Sequence, residues 1–128
     1  MARRWQVQWD ADKAELTSPE QVEDMLDRLT AKATDRPMIA VVLSPSGKSL
    51  SLGLGRNLSV VEYQMTADPP YFASVGNPSA HGLLTYEYSG EETEFEMRHA
   101  VPIEAARRAV AEFLKSDERP VSLNWEEV

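Results

Sequence analysis

Met38-Ile-Ala-Val-Val-Leu-Ser-Pro-Ser-Gly-Lys-Ser-Leu-Ser-Leu-Gly-Leu54 holds two strands that follow different rules. Met38 to Leu43 is apolar without alternation, as a central strand covered on both faces requires. Ser44-Pro-Ser-Gly47 is a turn, with Pro45 suited to the second position of a type I turn and Gly47 to the left-handed position after it. Leu50, Leu52 and Leu54 then alternate with Ser49, Ser51 and Gly53, the period-two pattern of a returning strand. An antiparallel pair with something packed on each side follows.

Working outward, Trp5, Val7 and Trp9 alternate with Arg4, Gln6 and Gln8 in another half-buried strand. Ser18-Pro-Glu-Gln21 reads as a helix start: Ser18 caps, Pro19 fits the first helical position and Gln21 can complete a capping box. Val22, Met25, Leu26 and Leu29 supply its buried stripe, and Asp24 and Arg28 form a surface pair. A further strand covers Leu58 to Gln64, and loops cover Thr66 to Tyr71 and Gly76 to Gly82. Pro102 opens a second helix with a stripe of Ala106, Ala109, Val110, Phe113 and Leu114, leaving Arg107, Arg108 and Glu112 outward. Val121, Leu123 and Trp125 alternate in a last strand. The expected architecture is α+β: one domain, residues 1–128, with a mostly antiparallel sheet of about six to eight strands and two helices on one face.

Charge is distributed unevenly. Between Arg56 and Arg98 there is no lysine or arginine, whereas Glu62, Asp68, Glu87, Glu91, Glu92, Glu94 and Glu96 all fall there. Tyr86-Glu-Tyr-Ser-Gly-Glu-Glu-Thr-Glu-Phe-Glu96 reads as a hairpin. A type II′ turn at Gly90-Glu91 sets Leu84, Tyr86, Tyr88, Thr93, Phe95 and Met97 on one face. Thr85, Glu87, Ser89, Glu92, Glu94 and Glu96 occupy the other, with Glu87 opposite Glu94. A one-residue slip would mix carboxylates with tyrosines. Two readings of the acid stand together: a solvated strand face, or a surface for a basic protein.

The formal net charge of −8 argues against nucleic acid and anionic lipid as partners. With no cysteine, disulfides and thiolate metal sites are excluded. The start lacks the apolar core of a secretory signal, and no apolar run approaches the ~20 residues of a membrane helix, so a cytoplasmic protein is expected.

Catalytic signatures are missing. Ser46-Gly47-Lys48-Ser49 lacks the earlier glycine of a phosphate loop and precedes a strand. Gly53-Leu-Gly55 lacks the third glycine of a dinucleotide site, and strand glycines more often mark bulges or close packing. His81 and His99 are too few for a histidine-only zinc site; His81 reads as a solvated turn residue and His99 as structural. The glutamates line an open face rather than a cleft that would separate their pKa values. No catalytic residue, metal site or cofactor is expected. Tyr71 and Phe72, following a loop, are candidates for exposed interface anchors.

The order of these segments resembles actinobacterial immunity proteins encoded beside polymorphic toxins of the deaminase superfamily. The stations are the Trp-containing first strand, Pro19 to Leu29, the turn around Pro45, Gly53-Leu-Gly55, the acidic hairpin, Val101 to Leu114, and Arg119-Pro-Val-Ser-Leu-Asn-Trp125. The resemblance implies a small α+β cytoplasmic protein that binds one toxin domain and blocks its active site, and it supplies no site residues. The charge pattern supplies them: Glu87, Glu92, Glu94 and Glu96, with Glu91 at the tip, and Asp68, Tyr71 and Phe72 extending the contact. Two rivals are a secretion chaperone for a basic substrate and a small-molecule-binding or enzymatic domain using the loops at Asp68 and His81.

Overall fold

The computed structural model describes residues 4–128. Met1, Ala2 and Arg3, part of the segment examined for a leader, lie outside the described residues. The strands are β1 (Trp5–Trp9), β2 (Asp12–Leu16), β3 (Met38–Leu43), β4 (Ser49–Leu54), β5 (Leu58–Gln64), β6 (Tyr71–Val75), β7 (Leu83–Tyr88), β8 (Glu91–Glu96), β9 (Ala100–Pro102) and β10 (Asn124–Glu127). The helices are α1 (Pro19–Lys32) and α2 (Ile103–Ser116), and a single 3-10 turn spans Met97–His99. The main path of the sheet runs β10-β6-β5-β4-β3-β1-β2. Hairpin β7–β8 branches from β3, and β9 pairs with β5. All pairings are antiparallel except the contact of Met38 with Glu87.

This is the α+β architecture expected, with more strands. β2, β6 and β9 went unread because each is short and flanked by loop-forming residues. β2, Asp-Lys-Ala-Glu-Leu, sits at the sheet edge, where charged residues are tolerated and discourage further pairing. β10 covers Asn124–Glu127, so Val121 lies before it and is exposed.

The central strand has two faces, as its unbroken apolar run requires. Met38, Ala40 and Val42 enter one core with Leu50, Leu52, Leu54, Val61 and Tyr63. Val22, Leu26 and Leu29 of α1 and Ala106, Val110, Phe113 and Leu114 of α2 close that core, so both helices lie on one face. Phe113 meets Trp5 and Tyr63 edge to face, at centroid distances of 5.7 and 6.1 Å. Ile39 points the other way, into a second core with Val60, Leu84, Tyr86 and Ala100. Hairpin β7–β8 is the cover on that side.

The helix signals hold with three changes. Gln21 N–H donates to Ser18 Oγ at 3.2 Å, but the Gln21 side chain accepts from Thr17 N–H rather than from the cap residue. Arg107, read as outward, turns to α1 and pairs with Asp27 at 2.9 Å, tying the helices together. Asp24 and Arg28 form no ion pair among the described residues.

Candidate functional site

The acidic hairpin folds with the two faces expected of it but in a different register. Leu84 pairs with Phe95, Tyr86 with Thr93 and Tyr88 with Glu91, so the turn residues are Ser89 and Gly90. Both have positive φ, +52° and +81°, which is the type I′ requirement and not the type II′ turn expected at Gly90-Glu91. The shift is two residues in the pairing, which leaves every side chain on its face. Glu87 therefore sits opposite Glu92, not Glu94, and Glu94 opposite Thr85.

Tyr86 is the clasp that holds this hairpin on the sheet. Its ring lies over Gly53 of β4, where a Cβ would approach ring atoms to 2.4 Å. The strand glycine thus marks a close approach, one of the readings open from sequence. Tyr86 Oη donates to Leu58 O at 2.5 Å, Phe95 packs edge to face on the ring, and Arg56 lies 5.5 Å from its centroid. Burial pushes the Tyr86 hydroxyl up to about 12, so it stays a donor throughout the physiological range. Arg56 also donates through two nitrogens to Thr85 O.

Two cations from outside the acidic segment pair with it, one from 51 residues away and one from two residues past its end. Arg36, from the loop before β3, pairs with Glu87 at 2.5 Å. Arg98 pairs with Glu96 at 3.3 Å and with Glu126 of β10 at 2.5 Å, and that bond holds Glu126 below the usual carboxylate range. Of the glutamates on the open face, Glu87 and Glu96 have partners within the protein. Glu91, Glu92 and Glu94 are exposed and have no ion-pair partner among the described residues. Glu92 borders a cleft that also includes Arg36 and Arg56.

Asp68, Tyr71 and Phe72 belong elsewhere. Asp68 is exposed in the turn after Gln64, with its N–H donating to Thr66 Oγ1. That turn follows the far end of β5 from Leu58, where Tyr86 is anchored, roughly 20 Å along the strand. Tyr71 is half-buried and donates to Ala67 O at 2.7 Å. Phe72 packs against the helix-side core beside Tyr63, under the Arg119 guanidinium at 4.7 Å. Neither ring is the exposed anchor expected, because β6 pairs with β5 and turns Phe72 inward.

His81 is exposed, as expected, and His99 is buried, with Nδ1 at 2.9 Å from Ser74 O and Nε2 at 3.7 Å from Glu96. The described residues hold no group of three His, Asp or Glu side chains suited to a metal ion. No described helix is long and apolar enough to cross a membrane.

The sheet face beyond the hairpin tip carries no motif of the kind that marks a site in sequence. There Gln8, Val41, Leu43, Ser49, Ser51, Glu62, Gln64 and Tyr88 line a cleft of about 220 Å³. The signal was present as the alternation of β5, which opposes Glu62 and Gln64 to Val61 and Tyr63.

The family model for immunity protein Imm1 matches residues 10–127. The chain belongs to the Imm1 family of immunity proteins. Among curated proteins the search found no match. In this Imm1 protein the match runs from the β1–β2 turn through β10, so it includes both helices and the acidic hairpin. Its candidate surface consists of three free carboxylates on a clasped hairpin, beside a polar sheet face.

Proposed function

We propose that this Imm1 protein binds the catalytic domain of a cognate polymorphic toxin, one to one, and inhibits it by covering its active site. The toxin is a nucleic-acid deaminase in this reading, and the inhibitor acts in the cytoplasm with no chemistry of its own. A domain that holds nucleic acid carries basic residues for phosphate, and a carboxylate-bearing hairpin competes for them. Opposed fields also speed encounter, which matters for a toxin that must be neutralised promptly.

The observation that carries this reading is the conjunction of Imm1 membership with the unpaired, exposed Glu91, Glu92 and Glu94 on a rigidly clasped hairpin. Glu87 and Glu96 hold the hairpin's own shape through Arg36 and Arg98. Co-expression with the toxin encoded beside its gene tests the proposal. Growth rescue, co-purification as a one-to-one complex and loss of deaminase activity are expected. A partner that co-purifies while keeping full catalytic activity would instead indicate a chaperone.

A further inference from the structure

The face of the sheet opposite the helices is only partly covered. Under the hairpin it is apolar, with Ile39 and Val60 against Tyr86. Past the tip it becomes a polar row running strand to strand: Gln8 pairs with Val41, Val41 with Ser51, and Ser51 with Glu62. Tyr88 stands over this row, and the same residue also borders a second cleft of about 210 Å³ with Gln8, Val41 and the β1–β2 turn. The two clefts share Gln8, Val41 and Tyr88 as lining residues. Glu91 is cross-strand from Tyr88 and on the same face of the hairpin.

Glu62 is the unusual member. It is half-buried in a sheet face, yet no donor among the described residues hydrogen-bonds its carboxylate. Burial pushes it up from the usual carboxylate range, and His99 offsets this only through space. The neighbouring Arg98 is already engaged by Glu96 and Glu126. Tyr88 is also raised, by burial and by the Glu62 charge. A half-buried carboxylate without a donor costs stability, and a cation placed against it would recover that cost.

We propose that the trough between the hairpin tip and the polar sheet row is a receptor for one lysine or arginine side chain of the toxin, which pairs with Glu62 and stacks beside Tyr88. Charge complementarity selects this occupant: Glu62 lines the cleft, Glu91 adds negative charge cross-strand from Tyr88, and a tyrosine ring face favours a cation. Lys13, on the strand next to Gln8, borders the trough and pairs with none of these carboxylates among the described residues. The inference rests on the toxin-binding reading and adds to it a buried anchor distinct from the outer hairpin acids.

Glu62→Gln keeps the shape and removes the charge. Measured against the toxin domain encoded beside the gene, it is expected to weaken Kd at least tenfold, mainly through faster dissociation, because a buried partner cation is left unpaired. Gln64→Lys, two residues along the same face, gives Glu62 a cation of its own and is expected to weaken binding likewise. Should either variant fail to fold, the other decides. A folded variant with Kd within twofold of the unsubstituted protein overturns the trough while leaving the toxin-binding reading intact. If the unsubstituted protein neither binds nor inhibits that toxin, both fall together.

Discussion

Glu62 shows what a single residue can carry that composition cannot. Its folded-state pKa is raised by burial, so folding costs the charged form more than the neutral one. The sign follows: its contribution to stability is fully present below the unfolded value of about 4.3 and is lost as pH rises through the higher folded value. Glu62→Gln, always neutral, should therefore raise the melting temperature at pH 7, with the gain disappearing near pH 4. Thermal unfolding followed by circular dichroism at the two pH values checks this. An unchanged or lower melting temperature at pH 7 would mean the carboxylate is well solvated. The ion pair of Glu87 is with an exposed Arg36, so Arg36→Ala should leave the melting temperature nearly unchanged.

At the scale of the element, the hairpin depends on contacts made far away in sequence. Tyr86→Phe leaves Leu58 O without its donor and should cost about 1 kcal/mol in a denaturant titration. Gly53→Ala should cost more, about 1–3 kcal/mol, since the new methyl meets the Tyr86 ring and the ring must lift. If Gly53→Ala proved neutral, the hairpin would not be seated on β4. The faces of this hairpin were legible from alternation, but its register was not. A two-residue change in pairing keeps every side chain on its face, so the pattern could not separate Ser89-Gly90 from Gly90-Glu91. Both primed turns match the strand twist, so twist does not separate them either; the fold sets Ser89 and Gly90 both at positive φ, as type I′ requires.

For the whole molecule, the relevant quantity is the field presented to a partner. Glu92→Lys with Glu94→Lys reverses two free charges on the outer hairpin face, away from either core. Association with the toxin domain should slow about tenfold at low salt, with the difference shrinking as ionic strength rises, while the melting temperature stays close to that of the unsubstituted protein. Stopped-flow mixing at two salt concentrations measures it. Equal association rates at low salt would remove this hairpin face from the encounter surface. Distinguishing it from Glu62→Gln is direct, since one variant is read in the on-rate and the other in the off-rate.

Periodicity alone determined the two helices, their buried stripes, the doubly covered strand Met38–Leu43 and the α+β class, because burial repeats every two or 3.6 residues wherever a core must form. Composition and segment order alone placed the acid at residues 86–96 and suggested an immunity-protein resemblance. Only the tertiary structure decided which carboxylates remain free. Arg36 is 51 residues from Glu87 and Arg98 is 28 from Glu126, yet folding sets each against its carboxylate, while Glu62 is turned onto a sheet face with no donor bonded to it. Ion pairing depends on distances of a few ångströms in space, and sequence separation carries no information about them.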